Sequence, residues 1–161
     1  MADLDLYRET YAVVAARRTQ WDQLLWQVPV LTLTTQAFLF SIALSHDATK
    51  SARVIACLLS LVMTCLSLHL MIKHRQAEVA DSQWLESYED QLPPPPGDLS
   101  WPMHGRNWSS YRLQTDPGAG RLRFLWRSNG FKIWFWGLAL FGVAAIVVLL
   151  ISMFWPSLLG S

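Results

Sequence analysis

The sequence predicts an all-α integral membrane protein with three transmembrane helices, the first two forming a long antiparallel hairpin that extends into the cytoplasm. Composition is the first reason: 52% of the 161 residues are hydrophobic and 16% are charged, where soluble domains carry about 25% charge. The second is length, because a helix needs about 20 mainly apolar residues to cross the hydrocarbon. Three stretches meet that need without an Asp, Glu, Lys or Arg in their middle: Leu24 to Ser45, Ala52 to Ile72 and Ile133 to Trp155. A soluble chain of this size has too little polar surface to cover three such helices. The third is the brevity of the connection at 46–51, which makes the first two spans antiparallel neighbours. Asp47 is placed there to cap the second helix.

Residues 1–23 precede the first span. Leu4, Tyr7, Tyr11, Val14, Trp21 and Leu25 recur at helical spacing, interrupted by Arg18, with Asp3, Asp5, Arg8, Glu9 and Arg17 on other faces. An amphipathic helix running straight into the span at 24–45 is expected. Met1 to Asp22 is charged throughout and lacks the short apolar run of a cleavable signal, so the mature chain is expected to begin near Met1. After the second span at 52–72, a second cytoplasmic helix is expected over 73–92. There Ala77, Ala80, Trp84 and Tyr88 repeat at three and four, while Glu78, Asp81, Glu86 and Glu89 occupy the remainder. Trp84 and Tyr88 form its candidate partner or oligomer face.

Pro93 to Pro96 stops that helix, and 93–120 reads as a cytoplasmic linker rich in Pro, Gly and Trp. Residues 121–132 form a basic interfacial segment. Arg121, Arg123, Trp126, Arg127 and Lys132 suit an anionic membrane surface better than nucleic acid, which is not expected as a partner. The third span, 133–155, carries Trp134 and Trp136 at one end and Phe154 and Trp155 at the other, as aromatic belts do. A short external tail, 156–161, follows.

Of the thirteen Lys and Arg residues, all but Lys50 and Arg53 fall before the first span or between the second and third. The positive-inside rule therefore puts the N-terminus in the cytoplasm and the C-terminus outside.

Inside the spans, polar residues concentrate on the first. Gln27, Thr32, Thr34, Gln36 and Ser41 either line a wet path between protomers, centred on Thr32 and Gln36, or make interhelical hydrogen bonds. On the second span Cys57, Ser60, Thr64 and Ser67 share one small, weakly polar packing face, and Gly137 and Gly142 are the packing candidates on the third. Cys57 and Cys65 lie too far apart along one helix to bridge each other. His46, His69, His74 and His104 have no ligand-like spacing, so neither a metal nor any other cofactor is expected. No intramembrane carboxylate, arginine ladder or Gly-rich filter points to a coupled transporter or selective channel. No phosphate loop, nucleophile elbow or zinc helix points to an enzyme.

The amphipathic helix, tight two-span hairpin and second cytoplasmic helix over Leu4 to Glu89 resemble the SLATT group. These are small two-transmembrane effectors associated with bacterial nucleotide-signal and defence operons. The residues that carry the likeness run from Tyr11 through Trp21, Trp26 and Pro29, then from Leu70 to Arg75 into the Trp84 and Tyr88 helix. The resemblance implies a homo-oligomer that permeabilises the inner membrane when triggered, with the trigger expected from another protein because no sensor is evident in the sequence. A third span sets this chain apart from the group. Two other functions fit the layout: a membrane anchor or assembly subunit holding a cytosolic sensor or enzyme from the same operon, and a holin-like lysis protein.

Overall fold

The computed structural model describes residues 2–93, 102–106, 109–110 and 129–155. Three long helices account for most of them, α1 (Ala2–Ala43), α2 (Lys50–Glu89) and α3 (Gly130–Phe154), and the described residues contain no strand. All three are long and apolar enough to cross a membrane. At 1.5 Å per residue, α1 and α2 are each about 60 Å long, roughly twice the thickness of the hydrocarbon. The basic segment at Arg121, Arg123, Trp126 and Arg127, most of the 93–120 linker and the tail at 156–161 lie outside the described residues.

The chain packs as two units, Met1–Leu25 with Lys73–Asn129, and Trp26–Ile72 with Gly130–Ser161. In the first, Tyr11 meets Glu89, Arg17 meets Asp81 and Arg18 meets Glu78. In the second, Thr32 meets Ser67 and Gln36 meets Ser60 and Thr64. Partner numbers fall on one helix as they rise on the other, the register of an antiparallel hairpin.

The tight connection is built from backbone turns and one buried cation. Leu44 N–H donates to Phe40 O (2.9 Å) and Ala48 N–H to Ser45 O (3.2 Å). Thr49, rather than Asp47, caps α2: its hydroxyl accepts the Ala52 N–H at 3.2 Å, while Asp47 is exposed two residues earlier. The helix begins at Lys50, two residues before the predicted span, so the oxygen needed by its first free N–H groups must come from position 49. Arg53 is buried and turns back to donate from Nη2 to Ser45 O (2.9 Å) and His46 O (3.4 Å). A guanidinium here satisfies carbonyls just past the end of α1 and complements the negative end of its dipole.

α1 continues through Pro29, which is buried and donates no N–H to the preceding turn. α3 buries Leu138, Gly142, Ala145 and Ser152 along one face. Trp134, Trp136, Leu140, Val143, Ile146 and Phe154 are exposed. A helix that buries mostly small residues and turns most of its large apolar ones outward is stable where its surroundings are themselves apolar. At the far end of α2, Asp90 and Leu92 close turns onto Glu86 O and Glu89 O, and Pro93 follows.

Candidate functional site

The polar residues of the first span divide between two faces of α1. Thr32 and Gln36 are buried against α2. Thr32 Oγ1 is hydrogen-bonded to both Val28 O and Ser67 Oγ, each at 2.7 Å. The Gln36 amide is fully used: Nε2 donates to Ser60 O and Thr64 Oγ1, both at 3.0 Å, and Oε1 accepts a short bond from the Ser60 hydroxyl. Thr64 in turn donates to Ser60 O at 2.9 Å. Of the two sequence alternatives, Thr32 and Gln36 occupy the interhelical one, each contact of that kind contributing about 0.6 to 2 kcal/mol in a membrane.

Gln27, Thr34 and Ser41 are exposed. With about 100° of turn per residue, positions seven apart stay within roughly 20° of one another. Thr32 and Gln36 therefore lie about half a turn away from that stripe. The Thr34 hydroxyl donates to Val30 O (3.1 Å) and the Ser41 hydroxyl to Phe38 O (2.7 Å), so neither proton points outward.

The packing candidates on α2 are all buried: Cys57, Ser60, Thr64 and Ser67. Cys57 packs with Ala43 and Ala56 beneath Ile42, Val148 and Leu149, whereas Cys65 is exposed. Gly142 lies so close that a Cβ there would sit 3.0 Å from Thr64 Cγ2. Gly137 is different. It is exposed, and nothing among the described residues lies within 4 Å of the place its Cβ would take, so it makes no close helix contact there.

The second concentration of polar chemistry lies in the first unit, on the acidic side of α2. Glu78, Asp81, Leu85 and Glu89 are the buried residues of this stretch, while Ala77 and Tyr88 are half-buried and Ala80 and Trp84 exposed. The acids rather than the apolar row are buried here, because each buried acid has a partner. Arg17 forms a two-pronged pair with Asp81, Nε to Oδ2 at 2.9 Å and Nη2 to Oδ1 at 2.6 Å. That hydrogen bonding, with the adjacent negative charge, holds the Arg17 guanidinium above its ordinary pKa. Glu78 takes Arg18 Nη2 at 3.0 Å and a short contact from Arg75. Arg18, which interrupts the apolar pattern of α1, is the residue that makes the pairing work. The sequence signal for this face is the spacing of Glu78, Asp81 and Glu89, read in antiparallel register against Arg18, Arg17 and Tyr11.

Glu89 is fully buried and anchors a knot of three residues. Its carboxylate accepts the Tyr11 hydroxyl (2.6 Å) and the His104 N–H (3.1 Å), and lies 2.5 Å from His104 Nδ1. Burial, then the Glu89 carboxylate, keeps the Tyr11 hydroxyl protonated well beyond the ordinary phenol range, as a donor must be. Two further backbone donors follow in sequence: Gly105 N–H to Ser82 Oγ (3.0 Å) and Arg106 N–H to Glu86 Oε1 (2.9 Å). Three consecutive amides of the 104–106 segment are thus clamped to three side chains of α2. Gly105 has φ +72°, and a Cβ there would fall on the Glu86 carboxylate. Gly105→Val is expected to lose amide-exchange protection at 104–106, since the left-handed backbone alone costs about 1–2 kcal/mol with a side chain. Unchanged protection would show that the segment is held by other contacts.

Trp84 is 40% exposed and stacks on Tyr88 with ring centroids 5.8 Å apart and planes 9° apart. Tyr88 also meets Tyr11 at 5.3 Å, so it faces its own unit while Trp84 faces outward. Lys132 is exposed at the start of α3. No family model, curated protein or solved structure matches this chain.

Proposed function

We propose that this chain is a non-enzymatic, homo-oligomeric effector of the bacterial inner membrane that permeabilises the bilayer in anti-phage defence. The observation that supports it best is the sorting of polar groups on α1. Thr32 and Gln36 are consumed within the hairpin, whereas Gln27, Thr34 and Ser41 form an outward stripe on an otherwise apolar surface. Polar groups facing lipid are costly, and pairing the stripes of several protomers would surround a polar passage with them. Charge bias places both long extensions and the 93–132 region in the cytoplasm and the C-terminus outside. The defence setting rests on the SLATT-like layout, with the trigger supplied by an operon neighbour.

The test is potassium flux from liposomes containing the purified full-length protein, with protomers counted by native mass spectrometry. The variant Gln27→Leu, Thr34→Val, Ser41→Ala is expected to keep the oligomer and lower flux to the protein-free baseline. Gln36→Leu, on the opposite face, should alter stability more than flux. A triple variant as leaky as the wild type would remove the stripe from the mechanism.

The exposed Trp84 on its Tyr88 stack favours a second reading, a membrane anchor that docks a cytosolic enzyme. It predicts tight liposomes and a co-purifying soluble partner that Trp84→Ala releases.

A further inference from the structure

In the first unit, α1, α2 and residues 105–106 and 109–110 line a cavity of about 580 Å³, with Arg18, Arg75, Glu78, Ser82, Arg106 and Ser110 among its walls. That volume is in the range of small-molecule sites, about 300–1,000 Å³. We propose that this cavity binds a phosphate-bearing anion.

The argument starts from charge. Three guanidinium groups, of Arg18, Arg75 and Arg106, line the cavity with one carboxylate, Glu78, and the Glu86 carboxylate holds the Arg106 amide beside it. Each guanidinium carries five N–H donors, and Glu78 takes one from Arg18 Nη2 and one from Arg75 Nη1. Arg18 Nε is buried and has no hydrogen-bond partner among the described residues. Ser82 Oγ accepts the Gly105 N–H, which leaves the hydroxyl proton available to donate.

The cavity also has a preset wall. Arg106 and Ser110 belong to the segment whose amides at 104, 105 and 106 are held by Glu89, Ser82 and Glu86, so the third arginine is brought to the first two by backbone contacts. The Ser110 hydroxyl donates to Arg106 O at 3.0 Å and ties the segment to itself. Planar donors from three guanidinium groups match the tetrahedral, multiply charged oxygens of phosphate better than a single carboxylate. The phosphate could belong to a soluble metabolite or to a lipid headgroup, since Arg75 lies one turn beyond Ile72, the last residue of the predicted second span. The proposal is independent of pore formation, and its test reads binding rather than leakage.

The test is titration of inorganic pyrophosphate into the full-length protein in an uncharged detergent, followed by calorimetry. One saturable site per protomer is expected. Arg106→Gln, an exposed position whose backbone contact is kept, should weaken it about tenfold, as one charge-assisted contact to an anion does. Arg18→Gln should weaken it at least as much, and Arg8→Gln, which does not line the cavity, should leave it unchanged. Repeating the titration in nanodiscs separates the sources. If the natural ligand is a headgroup, phosphatidylglycerol weakens pyrophosphate binding relative to phosphatidylcholine alone; if it is soluble, the two lipids give the same affinity. Absence of saturable binding to the wild type, or equal binding by Arg106→Gln of unchanged circular dichroism, overturns the proposal.

Discussion

Glu89→Ala is expected to lower the unfolding free energy by roughly 3 kcal/mol and to release the 104–106 segment from α2. The size follows from what the carboxylate holds. It is fully buried and meets the Tyr11 hydroxyl, the His104 amide and the His104 ring. Truncation removes the acceptor and leaves the Tyr11 proton and the His104 amide without it, so the loss is dominated by stranded donors rather than by packing. Glu89→Gln retains an acceptor oxygen and should recover part of the stability. Denaturant titration by tryptophan fluorescence reads the free energy, and hydrogen exchange at His104 to Arg106 reads the clamp. If Glu89→Ala unfolds like the wild type and keeps those amides protected, the knot contributes little to the first unit.

Gly142→Leu is the second large effect, and it acts on the apolar unit. Even a methyl group at this position meets Thr64 Cγ2 at 3.0 Å, and a leucine must push α3 away from α2. Overpacking of this kind costs about 1–3 kcal/mol. Because helices in a bilayer are held by close contact rather than by exclusion of water, a lost contact of this kind has little to replace it. The measurable consequence is separation of Phe40 from Phe141, whose rings are 6.1 Å apart in the native packing. The cross-linking yield of a Phe40→Cys, Phe141→Cys pair, in a background with Cys57 and Cys65 replaced by Ala, should fall when Gly142→Leu is added. Thr64→Ser, which removes the obstructing methyl, should restore much of the stability lost by the smaller Gly142→Ala change. If the two substitutions prove additive, the contact is not the source of the cost.

The long helices were legible because their signal is local. An apolar run of about 20 residues has one economical solution, and the single tight turn at 46–51 left no choice of partner. Their ends were less legible. α2 starts at Lys50 and α3 at Gly130, before the apolar runs, because hydrogen bonding and capping set helix ends where hydropathy marks only the spans. The acidic face of α2 was less legible for a related reason. Ala77, Ala80, Trp84 and Tyr88 form a regular apolar row, but Glu78, Asp81 and Glu89 are buried with Leu85, since Arg18, Arg17, Tyr11 and His104 meet the acids. That match is invisible on either helix alone.

The polar residues of α1 were picked out by type, but their division was not. Half a turn separates Gln36 from Thr34, and the sequence contains that angle without saying which side holds α2. The 104–106 clamp was the least legible feature, because its donors are backbone amides that any residue carries. Gly105 was its one mark in the sequence, a lone glycine in a stretch with several others.

The outward stripe of α1 has a polarity of its own. The Thr34 and Ser41 hydroxyls give their protons to carbonyls of their own helix, so what they present to a neighbour is oxygen lone pairs. Thr35 spends its proton the same way, on Leu31 O. A conduit walled by several copies of such a helix would hold a collar of acceptors, able to replace part of the hydration of potassium or sodium but with little to offer chloride. In this stripe Gln27 alone retains N–H groups, close to the start of the span. Charge selectivity favouring cations would thus be written without a single ionised side chain, in the direction in which two hydroxyl protons point.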